Sequence, residues 1–97
     1  MLELLQLQQQ LVRLEQQRQS LMVQETSGSE VLSQTEANLT LFTRQYKAGR
    51  RTLLELVGQY DGFARMQRDQ VSLRFQIARI ELEMARDQGV LMDGGLM

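Results

Sequence analysis

The sequence predicts an all-α protein, a long antiparallel helical hairpin of the coiled-coil kind. Three observations lead there. The chain has 97 residues, no proline, and a composition dominated by Gln, Leu, Arg and Glu, which are helix formers, while β-branched residues are few. Its apolar residues return every seven positions. One sharp stop signal is followed within a few residues by a start signal. With 42% apolar residues, few aromatics and no Trp, such a chain can line narrow apolar seams but not a thick globular core.

The first helix is expected from about residue 2 to 48. Leu4, Leu11, Leu32, Leu39 and Tyr46 share one heptad position, interrupted by Arg18 and Glu25. Leu7, Leu14, Leu21 and Phe42 follow three residues later, interrupted by Gly28 and Thr35. A sustained repeat of seven implies a left-handed supercoil against a partner helix. Thr26-Ser27-Gly28-Ser29-Glu30 is the weak place, because Ser27 and Glu30 have capping-box spacing. Either a new helix starts there or the first one runs through and loosens at Gly28. The unchanged heptad phase on both sides favours continuity.

The turn is expected at 49–52. Gly49 follows the last seam residue and can take the positive φ that ends a helix. Thr52 opens a capping box with Glu55, ahead of Leu53, Leu54, Leu56 and Val57. So short a connection makes the two helices antiparallel neighbours.

The second helix is expected from about 53 to 88, stopped by Gly89, with a tail over 89–97. Val57, Ala64, Val71, Ala78 and Ala85 form a stripe of small or β-branched residues. Leu56, Phe63, Ile77 and Met84 run on one flank, and Leu54, Phe75 and Leu82 on the other. That band is wider than one two-stranded seam needs, so the helix is expected to touch neighbours on two sides. The packing residues read from both helices are Leu32, Leu39, Phe42, Val57, Ala64, Val71, Ala78 and Leu82. Folding back at the turn places Gln88 near Arg13. The Leu-rich first dozen residues then overhang, unless the Val90–Met97 tail folds over them.

The chemistry the sequence excludes is as informative. Histidine and cysteine are both absent, which removes the commonest general base, metal ligand and strong nucleophile. Disulfides and thiolate metal sites are excluded with them. Glu81, Glu83 and Asp87 lie close together, but with Arg79 and Arg86 among them they read as a solvated helix face. No phosphate-cradling glycine loop is present. Gly58-x-x-x-Gly62 allows either a close helix approach or a local weak spot. The reading is therefore a non-enzyme with no catalytic residue, cofactor or metal. Net charge is −1, and the one basic cluster, Arg44, Lys47, Arg50 and Arg51, lacks the interleaved aromatics of single-strand readers, so no nucleic-acid partner is expected. The first residues show neither the basic nor the apolar region of a signal peptide, and no run has the length of a membrane span.

The stretch Tyr46-Lys47-Ala48-Gly49-Arg50-Arg51-Thr52-Leu53-Leu54-Glu55-Leu56-Val57 resembles the periplasmic tip of TolC-type outer-membrane efflux and type I secretion channels. Their second helix-turn-helix commonly reads Tyr-x-x-Gly-x-x-[Thr/Ser]-[Leu/Ile]-x-[Asp/Glu]-[Leu/Val]-[Leu/Val], and each of those elements is present. The small-residue stripe and the ending at Leu82, Gly89 and Leu91 are also similar, so the likeness covers about residues 32–91. It implies a trimer whose helices form a tunnel through the periplasm below an outer-membrane barrel, docked to the periplasmic adaptor of an inner-membrane transporter. It further implies that Tyr46, Gly49, Arg50, Arg51, Thr52 and Glu55 form the tunnel entrance and the partner contact. Arg51 is expected to bridge to a carboxylate on a neighbouring helix. The family's signal peptide, first repeat and barrel strands have no counterpart in these 97 residues, so the chain is expected to be a fragment, with membrane contact only through parts it lacks. A periplasmic adaptor hairpin and a stand-alone coiled-coil scaffold are the competing classes.

Overall fold

The computed structural model describes residues 1–96, with side chains described through Met92. Helix α1 spans Leu2–Lys47 and helix α2 spans Leu53–Leu96, and the two pack as an all-α hairpin. Among the described residues there is no strand.

Helix α1 is continuous through Thr26–Glu30. Gly28 keeps a helical φ, since Gly49 alone among the described residues has a positive one. The sequence reading of α2 needs correction at its far end. Gly89 does not stop the helix at Gln88, and α2 continues to Leu96. A helical glycine costs about 1 kcal/mol relative to Ala, yet without proline nothing forbids continuation, and Leu91 extends the heptad line of Leu56, Phe63, Ile77 and Met84 to another half-buried position. The expected tail over 89–97 is therefore helical as far as Leu96, while Met97 lies outside the described residues. The expected overhang shrinks accordingly. Leu7 and Leu11 are half-buried, and Leu2, Leu4 and Leu5 stay exposed.

The chain divides into two units, Glu25–Ser72 around the turn and Met1–Gln24 with Leu73–Met97 at the open end. In the turn unit the seam takes Leu32, Thr35, Leu39 and Phe42 from α1 and Leu56, Phe63 and Gln70 from α2. In the open-end unit it takes Leu7, Leu11, Leu14, Arg18 and Leu21 from α1, with Leu73, Ile77, Ile80, Met84 and Asp87 from α2. Leu14, Leu39 and Leu56 are the buried apolar side chains among the described residues. Each contributes about 1.5–3 kcal/mol at full burial, so the seam is a single layer with polar gaps to fill.

Those gaps are filled by specific partners. Arg18 makes a two-pronged bond to Glu15, with Nε and Nη2 each 3.0 Å from a carboxylate oxygen. Its Nη1 lies 3.7 Å from Glu81 across the open-end seam. The Arg18 hydrogen bond, more than its charge, holds the Glu15 carboxyl below its ordinary range. Thr35 turns its hydroxyl back to the Val31 carbonyl at 2.8 Å, so a seam position carries a satisfied polar group. Positions that break the apolar rhythm in sequence are thus members of the seam.

Candidate functional site

The turn is built from two helix caps placed back to back. Gly49 has φ of 75°. Its N–H donates to the Tyr46 carbonyl at 3.0 Å, and the Arg50 N–H donates to the Gln45 carbonyl at 2.8 Å. These are the two bonds of a Schellman motif, which satisfy the last carbonyls of α1. Thr52 then caps α2. The Glu55 N–H donates to Thr52 Oγ1 at 3.2 Å, and the Thr52 hydroxyl donates to Glu55 Oε1 at 3.2 Å. This is the capping pair expected from the Thr52–Glu55 spacing.

Arg51 ties the two caps together. Its Nε donates to Gln45 Oε1 at 3.0 Å, its Nη1 meets Glu55 Oε2 at 3.2 Å, and its guanidinium stands 4.6 Å over the Phe42 ring. Within the chain the carboxylate that Arg51 meets is Glu55, at the start of α2. One helical turn separates the two residues, close enough to pair without a partner. The Arg51 hydrogen bond, assisted by Thr52 and opposed by partial desolvation, holds the Glu55 carboxyl below its ordinary 4.5.

The six residues read from sequence as the tip are thus drawn together unevenly. Gly49, Thr52, Glu55 and Arg51 form one bonded cluster. Tyr46 and Arg50 lend their backbone to it, while their side chains stay exposed beside Arg44 and Lys47. Sequence reasoning missed Gln45 as a partner of Arg51. It also missed Thr43, whose hydroxyl donates to the Leu39 carbonyl at 2.8 Å and lies 3.5 Å from the Tyr60 hydroxyl on α2. With its proton already committed, Thr43 accepts there and Tyr60 donates.

The second feature is the outer face of α2. The intrachain seam uses the Leu56, Phe63, Gln70, Ile77 and Met84 line, and the stripe read as packing faces elsewhere. In the turn unit Val57 and Val71 are exposed, and Ala64 is half-buried. In the open-end unit Phe75 is 73% and Leu82 72% accessible, with Ala78 exposed between them. There they line a shallow groove whose rim is Arg79, Glu83 and Arg86. On α1, Leu32, Leu39 and Phe42 do lie in the seam.

One of the three acidic residues departs from the sequence reading. Asp87 is not on a solvated face with Glu83. It is 5% exposed, its Oδ2 has no hydrogen-bond partner among the described residues, and its Oδ1 lies 3.6 Å from Arg86 Nε. Glu81 faces Arg18. At Gly58 and Gly62 an added Cβ would meet nothing within 4 Å, so no close helix approach occurs there among the described residues. Among the described residues no helix is long and apolar enough to cross a membrane. Compared with protein-family models, characterised proteins and solved structures, the chain has no match.

Proposed function

We propose that this chain is a tunnel hairpin of a TolC-type outer-membrane channel for type I secretion or efflux. The observation that carries the reading is the outer face of α2. A helix whose seam is already occupied still presents large accessible apolar side chains, Phe75 and Leu82 above all, and such a surface marks a place where another helix packs. In a closed ring of hairpins every helix has a neighbour on either side, and heterologous contacts of that kind close into a ring when the rotation allows. The resemblance of Tyr46–Val57 to the family's tip motif supports the reading independently of packing.

On this reading the turn is the periplasmic entrance of the tunnel. The double cap and the Arg51 cluster keep it stiff. The exposed basic side chains of Arg44, Lys47 and Arg50, with Tyr46, offer a surface to the periplasmic adaptor. Three protomers would assemble through outer faces such as that of α2, and the protein would work as a conduit.

The open reading frame around this segment in its native genome tests the proposal. An in-frame extension encoding a signal peptide, amphipathic strands and an earlier similar hairpin is the expected result. A frame that encodes this hairpin with none of them would overturn the channel reading and leave a coiled-coil scaffold, for which the same outer face is a self-association surface.

A further inference from the structure

The small-residue segment Thr26-Ser27-Gly28-Ser29 interrupts a Leu-rich heptad run without interrupting α1, and the tunnel reading gives it no task. What lies against it is Gln70. This is the most buried polar residue described, 4% exposed, on the α2 line otherwise made of Leu56, Phe63, Ile77 and Met84. Its amide nitrogen donates to the Glu25 main-chain carbonyl at 2.5 Å and lies 3.4 Å from Glu25 Oε1. Its amide oxygen occupies the space where any side chain at position 28 would begin, and its Cδ lies 3.4 Å from the same point. A hydrogen bond and a steric fit therefore meet at one pair of positions.

We infer that Gln70 seated on Gly28 is a lock that specifies how α1 and α2 pair. A buried amide on a coiled-coil line lowers stability relative to an apolar residue and selects the one register in which it is satisfied. Moving either helix by one heptad brings Gln70 against Arg18 and Leu21, or against Leu32 and Thr35. Neither site has a glycine, so a side chain stands where the amide would go. The neighbouring apolar layers, of Leu, Ile, Phe and Met, discriminate poorly between registers because their side chains are interchangeable in size and chemistry, so Gln70 on Gly28 selects the register together with the capped turn and the Arg18–Glu81 pair. Glycine at 28 leaves the room that the Gln70 amide fills. The lock stands whether or not the chain belongs to a channel.

A four-variant cycle on the full chain tests the steric half. Gly28→Ala is expected to lower Tm by about 5 °C beside Gln70, because the amide is expelled from its site. In the Gln70→Ala background the same change is expected to raise Tm, since the hole is empty and Ala is the better helix former. Spin labels on cysteines placed at Ser33 and Arg68, in chains diluted with unlabelled protein, test the register half. The chain with Gln70 is expected to show one narrow distance, and Gln70→Leu a second, smaller population, since the capped turn still favours the original register. A Gly28→Ala effect of the same sign and size in both backgrounds, or a single unchanged distance for Gln70→Leu, overturns the lock.

Discussion

At the turn, single residues act through backbone conformation and local hydrogen bonds. Gly49 sits at a φ of 75° with open space around it, so a side chain there meets no neighbour and suffers only its own backbone strain. Gly49→Val should cost about 1–2 kcal/mol, seen as an earlier urea midpoint with the helical circular-dichroism signal retained. Unchanged stability would remove the case for positive φ at that position. Glu55 offers a pH test. Its carboxyl titrates lower in the folded chain than its ordinary 4.5, chiefly through Arg51. Its contribution is therefore complete above that ordinary value and is lost as the pH falls through the lower, folded-state value. Tm should decline on acidification, and Glu55→Gln should flatten part of that limb. Identical acid limbs in the two proteins would show that the pair stabilises nothing, as exposed pairs sometimes do.

At the scale of the helix, the question is which seam positions stabilise and which oppose pairing. Arg18 lies on the seam with its charge compensated by Glu15 and Glu81. Asp87 lies there with one carboxylate oxygen unpartnered among the described residues, and a buried unsatisfied polar group costs about 1–3 kcal/mol. Asp87→Leu should consequently raise Tm by about 5 °C or more. A fall in Tm would mean that Asp87 is bonded in solution. The heptad phase across Thr26–Glu30 made continuity of α1 legible in the sequence. The end of α2 was not, since Gly89 carries the same stop signal as Gly49, and only the seam burial around Leu91 separates a glycine that ends a helix from one that does not.

For the molecule as a whole, the decisive property is an apolar surface that the chain does not cover for itself. The isolated polypeptide should be strongly helical and should self-associate through the outer face of α2. Replacing Phe75 and Leu82 by Glu places charge where a second helix would pack. That double variant should sediment as smaller species at concentrations where the unsubstituted chain associates. Equal association of both would move the interface elsewhere, for instance to the exposed Leu2 and Leu5.

Local rules were enough for α1, the start of α2, the turn and its caps, because propensity, the heptad period and cap chemistry act over three to seven neighbouring residues. The same rules made the double apolar band of α2 visible, but not which half of it the chain would bury on itself. Leu56 and Val57 are adjacent and both apolar, and rotation of α2 about its axis decides that Leu56 is covered and Val57 exposed. Only the tertiary structure placed Gln70 over Gly28 and buried Asp87. Each depends on where the second helix stands against the first, and no spacing within one helix encodes that distance.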